Sequence, residues 1–166
     1  MENTKKVAAP AATAFAQTTV YDSLPSVQLT EHFNLREFAI SAAAVRHGID
    51  NVPPADVVER IRALCREVLE PLRRRFGVIR VTSGYRCPSV NRIVGGVATS
   101  QHVRGEAADI NVGNIEVGRK MYEFVRSRLD FDQLILEYRR KTGARWLHVS
   151  YRTGGVNRRQ AFEKQV

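Results

Sequence analysis

The residues of this chain best suited to chemistry are two histidines and an aspartate. Residues 100–109 read Ser100-Gln101-His102-Val103-Arg104-Gly105-Glu106-Ala107-Ala108-Asp109, so His102 and Asp109 stand seven positions apart across a glycine. In a strand from Ala107 to Val112, alternation turns Ala108, Ile110 and Val112 toward a core and Ala107, Asp109 and Asn111 away from it. Gly105 allows the loop to fold back so that His102 approaches Asp109. Near the end of the chain the same alternation puts Leu147, Val149 and Tyr151 on one face and Trp146, His148 and Ser150 on the other. His148 therefore points away from the core. Two imidazoles and one carboxylate form a donor set that zinc accepts, and three protein donors leave a fourth position open. A hairpin turn centred between Thr142 and Gly143 sets Glu137 opposite His148, with Leu134, Leu136 and Tyr138 on the other face. A carboxylate there can take a proton from water and pass it to a leaving amine. His32 and His47 are read as structural or exposed. Trp146 is either a wall of the pocket or ordinary strand packing.

The elements that must hold these residues follow from periodicity. Apolar positions from Val57 to Leu72 recur at helical spacing and predict the longest helix over about Pro54 to Phe76, ended by Gly77. A short helix is expected near Leu35 to Ser41, with Thr30 capping the segment before it. Val78 to Thr82 alternates as a strand, and Ser83-Gly84-Tyr85-Arg86-Cys87-Pro88 and Gly95-Gly96 read as loops. Ile115 to Arg128 has helical spacing. Two β-rich runs, Phe131 to Tyr138 and Arg145 to Tyr151, close the domain around a turn at Lys141-Thr142-Gly143. The fold class is thus α+β, a small, mainly antiparallel sheet with helices packed on one side.

The pattern Ser-x-His-x-x-Gly-x-Ala-x-Asp at residues 100–109, followed by Trp146-x-His148 by a terminal hairpin, resembles the zinc D-Ala-D-Ala carboxypeptidases. That family includes phage L-alanyl-D-glutamate endopeptidases and vancomycin-resistance dipeptidases, and shares its fold with the Hedgehog signalling domain. The likeness runs from about Leu29 to Arg159, through His32-Phe33, Ser83-Gly84-Tyr85-Arg86, Phe131-Asp132-Gln133-Leu134-Ile135 and His148-Val149-Ser150-Tyr151. It implies that His102, Asp109 and His148 ligate one zinc ion and that Arg86 and Ser100 position substrate; a guanidinium is a natural partner for a peptide carboxylate. In several members of that family the catalytic glutamate lies three residues before the last histidine. Arg145 occupies that position here, so the role falls to Glu137, as it does to a cross-hairpin glutamate in the Hedgehog-type domain. The implied activity is hydrolysis of an amide in the peptidoglycan stem peptide, by a carboxypeptidase or an endopeptidase. A phage lysin or virion-associated enzyme fits a compact domain without wall-binding repeats. The alternative is a non-catalytic module that keeps the fold and binds wall polymer or proteins.

Size and charge frame these readings. The 166 residues suit one domain, and 43% hydrophobic residues suffice for a core. Lysine and arginine number 26 against 17 acidic residues, a formal charge of +9, so an anionic partner such as a bacterial wall surface is expected. Nucleic acid is disfavoured because Arg73-Arg74-Arg75, Arg139-Arg140-Lys141 and Arg158-Arg159 lack interleaved aromatics. Cys65 and Cys87 are too few for a disulfide framework, and Cys65 suits a core position. Residues 1–28, rich in Ala and Thr, read as an arm or linker that is disordered or docks on a protein partner, leaving 29–166 as the domain. Lys5-Lys6 and Ala14-Phe15-Ala16 give only a poor signal peptide, since Pro10 and the threonines interrupt the apolar stretch. No apolar run approaches the roughly 18 residues of a membrane span. The expected place of action is the bacterial wall or periplasm.

Overall fold

The computed structural model describes residues 26–166; most of the segment read as an N-terminal arm, up to residue 25, lies outside the described residues. Val27 and Gln28 already join the folded unit, since Val27 O accepts from Leu35 N at 2.8 Å and its side chain packs on the core. The first short helix, α1, spans Leu35–Ala39. Its cap is Asn34 rather than Thr30: Asn34 Oδ1 accepts from Arg36 N, while the Glu37 carboxylate accepts from Asn34 N. A second helix, α2 (Ala42–Arg46), follows at once, capped by Ser41.

The long amphipathic stretch forms a continuous helical run in three parts, α3 (Ala55–Leu64), a π-helical turn (Cys65–Leu69) and α4 (Glu70–Phe76). The sequence predicts one uninterrupted α-helix there, and Pro71 supplies the physical reason for the difference. A proline ring inside an α-helix clashes with the carbonyl four residues earlier. Here Glu70 N bonds to Cys65 O, five residues back, which widens the turn just before the proline. Gly77 then ends α4 at φ 79°, as expected of a glycine at that place. The face formed by Val57, Ile61, Leu64, Cys65, Val68, Leu69 and Leu72 is buried.

The sheet has five strands: β1 (Val81–Ser83), β2 (Ala107–Asn111), β3 (Gln133–Tyr138), β4 (Arg145–Ser150) and β5 (Gln160–Gln165), in the order β1-β2-β4-β3-β5. Every pairing is antiparallel except that of β5, which lies parallel to β3. The sheet is therefore mixed, with an antiparallel body and one parallel edge. Three elements went unread in the sequence: the short helix α2, strand β5 and the helix α5 (Pro88–Ile93), whose Pro88 stands in its first turn. Helix α6 (Ile115–Arg128) has the bounds its periodicity predicts.

Alternation on the sheet separates two environments. Ala108, Ile110, Leu134, Leu136, Leu147 and Val149 are all fully buried under the long helices. The rings of Phe76 and Phe124 meet edge to face at 5.7 Å, where α4 meets α6. The opposite face carries Asp109, Ile135, Glu137, Trp146 and His148, and is bordered by α2 and α5, which share a small apolar cluster of Ala43, Ala44 and Val90. Among the described residues no helix is long and apolar enough to cross a membrane.

Candidate metal centre and active site

The centre is assembled from β2, β4 and the loop between α5 and β2. Asp109 and His148 are direct cross-strand partners. Paired residues on adjacent strands point to the same face with Cβ atoms about 4.5–5.5 Å apart, so the carboxylate and imidazole must meet. His102 reaches them from the loop because Gly105 takes φ 71°, a left-handed turn that brings the chain back into β2. A Cβ on Gly105 would also lie 2.6 Å from Val57 Cγ1, so the loop is pressed against α3.

The donor atoms converge. His148 Nδ1 lies 2.9 Å from Asp109 Oδ1, and His102 Nε2 lies 3.4 Å from the same oxygen. The two imidazole centroids are 5.2 Å apart, and one donor atom from each residue falls within 4.8 Å of the others. Zinc bonds of about 2.0–2.1 Å at tetrahedral angles separate donors by about 3.3 Å, close to what these atoms show. Protonation supports the same reading. His102 Nδ1 donates to the Gly84 carbonyl at 2.7 Å, which turns Nε2 toward the cluster. Burial works to raise the Asp109 carboxyl, but His102 and His148 outweigh it and hold the group well below the usual carboxylate range. An ionised oxygen and an available imidazole nitrogen are what a divalent cation requires.

Arg86 stands behind the carboxylate. Its Nη2 donates to Asp109 Oδ2 at 2.9 Å and its Nε to Ser83 Oγ at 2.9 Å. The sequence-level expectation was a guanidinium for a substrate carboxylate; in the structure it first engages the protein's own. The turn that carries it is pinned from outside by Asn51 and by the backbone of α1. Buried Asn51 donates to Ala39 O and Tyr85 O at 2.8 and 3.1 Å and accepts from Cys87 N at 2.7 Å. Tyr85 N also donates to Phe38 O, and a Cβ on Gly84 would sit 2.6 Å from Phe38 Cα. The signal for Asn51 was a lone asparagine before Val52-Pro53-Pro54, which a single sequence does not distinguish from an ordinary turn residue.

A groove of about 750 Å³ runs along the centre and is lined by all seven expected site residues: Arg86, Ser100, His102, Asp109, Glu137, Trp146 and His148. Ser100 Oγ accepts from His102 N at 3.3 Å, so it helps shape the loop. Trp146 is overlain by the Arg139 guanidinium at 5.4 Å. Glu137 shares the face of His148 as expected, but not its register. The turn is centred between Lys141 and Thr142, so Glu137 faces Trp146 and Ile135 faces His148. The pairing is displaced by two residues, which preserves the face and makes Glu137 a diagonal neighbour of His148.

A second group of potential donors, Glu31, His32 and Glu70, has a structural explanation. Both Glu70 oxygens are engaged by His32, through its backbone N at 2.8 Å and Nδ1 at 2.9 Å, and Glu31 pairs with Arg74. Cys65 and Cys87 are free thiols, the first buried in the core.

The family model described as Peptidase M15 matches residues 31–150, which spans the helical run, the centre and the hairpin, and the chain belongs to that family. A comparison with curated proteins finds no match.

Proposed function

We propose that this peptidase M15 member is a zinc-dependent enzyme that hydrolyses an amide bond of the bacterial cell-wall stem peptide, with His102, Asp109 and His148 holding the ion. The single observation that carries the reading is the convergence of those three donors beside a groove, with the His102 tautomer fixed by Gly84 O. When bound, zinc supplies Lewis acidity toward a carbonyl and makes water acidic near neutrality. Glu137, on the same sheet face, takes the proton of the attacking water and returns it to the leaving amine. Arg86 keeps Asp109 oriented and presents its remaining nitrogen, Nη1, to the groove for a substrate oxygen. Ser100 and Trp146 bound the path of the peptide. The net charge of +9 favours an enzyme working at an anionic wall, as a lysin of phage origin would.

The test is digestion of purified wall by the zinc-loaded protein and by Glu137→Gln, with new amino termini identified by mass spectrometry and zinc content measured in both. The variant should retain its zinc and lose about 10²–10⁴ in kcat. Equal rates would remove Glu137 from the mechanism. Arg145, at the position where several members of the resembled carboxypeptidase family carry a glutamate, favours one other reading, a zinc-holding module that binds wall without cutting it. Stoichiometric zinc with no cleavage of any wall peptide would establish that alternative.

A further inference from the structure

A second cavity, of about 720 Å³, shares Val97, Ser100, Gln133 and His148 with the groove, so the metal-donor histidine stands on the boundary between the two. The charged groups of this cavity are Arg104, Arg152, Arg158, Glu106 and Asp132. Both carboxylates are already committed. Asp132, fully buried, accepts from Arg158 Nε and Nη2, from Arg158 N and from Gln101 Nε2. Glu106 accepts from Arg104 Nε at 2.8 Å, and Arg104 Nη1 is spent on Thr99 O. Three guanidinium groups therefore meet two carboxylates, and the surplus positive charge belongs to Arg152. Its Nη1 stops 4.0 Å from Asp132 Oδ1, beyond hydrogen-bonding distance, and its side chain is 44% exposed. The backbone beneath it is fixed, since Arg152 N donates to Asn157 Oδ1 at 2.8 Å.

We infer that this cavity is a subsite for a carboxylate of the substrate, held by Arg152, across His148 from the Trp146 groove. The inference rests on the amide-hydrolysis reading for its meaning, because a peptide occupying both cavities is cut internally, beside an acidic residue. A planar guanidinium recognises a carboxylate through paired charge-assisted hydrogen bonds that a carboxamide of the same shape cannot reproduce. Arg104 and Arg158, neutralised and held by Glu106 and Asp132, do not compete for the ligand.

Two peptides test it, L-Ala-γ-D-Glu-L-Lys-D-Ala and the same peptide amidated at the α-carboxyl of its D-Glu. Each is titrated calorimetrically into zinc-loaded wild type, Arg152→Gln and Arg128→Gln, and recovered afterwards to check for cleavage. Arg128, on α6, lines neither cavity, so its variant removes the same charge elsewhere. Wild type and Arg128→Gln should bind the acid form about tenfold more tightly than the amide. In Arg152→Gln the two should fall within about twofold. Equal affinities in wild type, a preference that survives in Arg152→Gln, or no measurable binding of either peptide would overturn the subsite. A preference abolished by Arg152→Gln without cleavage of either peptide would uphold the subsite and count against the hydrolase reading.

Discussion

His102 has both ring nitrogens assigned by its surroundings, Nδ1 to the Gly84 carbonyl and Nε2 to the cluster around Asp109. If zinc is the natural occupant, binding must be linked to folding, because the unfolded chain brings no three donors together. Zinc at about 100 times its Kd should stabilise the protein by about 2.7 kcal/mol, read as a chelator-reversible rise in the thermal midpoint. His102→Ala and His148→Ala should lose that rise. Asp109 and His148 were legible in the sequence because strand alternation decides which way a side chain points, and His102 because a glycine three residues on lets its loop fold back. Arg86 was legible only as a cation near the site. Its bond to Asp109 depends on a turn fixed by Asn51 and Phe38, residues far away in sequence that periodicity does not connect.

Among the elements, the loop from Gln101 to Gly105 is the one whose geometry most directly sets the centre. Gly105→Ala would force an L side chain into φ 71° and drive its Cβ to 2.6 Å from Val57 Cγ1 and 2.9 Å from Val57 O. A cost of about 2 kcal/mol or more is expected, measured by urea denaturation. Weakened zinc affinity should accompany it, since His102 moves with the loop. The elements also show where pattern reading stops. Face is set by parity and survived in the β3–β4 hairpin, whereas register depends on the turn, and Arg139-to-Ala144 closes a longer one than expected. Strand β5 carries only Ala161 and Phe162 as apolar residues, too little for a hydrophobic signature. It is a strand because the edge of β3 offers unpaired backbone groups. Helix α5 was hidden by Pro88, which punctuates a turn but equally opens a helix at its first position.

For the molecule as a whole, Asp132 is the junction of β3, the Gln101 loop and the approach to β5. Burial alone would raise its carboxyl, but the side-chain and backbone hydrogen bonds of Arg158, helped by Gln101, hold it below its ordinary value of 3.8. In the unfolded chain the group takes up a proton first as the pH falls. Its contribution to stability is therefore complete above about pH 5 and is lost as the pH drops through the depressed folded value. Glu70, held down by His32 against the opposing effect of burial, acts in the same direction. Urea midpoints taken at descending pH should fall through this acid range. Asp132→Asn should flatten that limb while costing about 2 kcal/mol at neutrality. The parallel edge strand has a practical corollary. Val166 N bonds to Tyr138 O, one residue beyond Glu137, and Lys164 lines the groove. A carrier domain fused after Val166 would thus hang over the entrance to the reaction site, a sieve that short peptides pass and a cross-linked polymer does not.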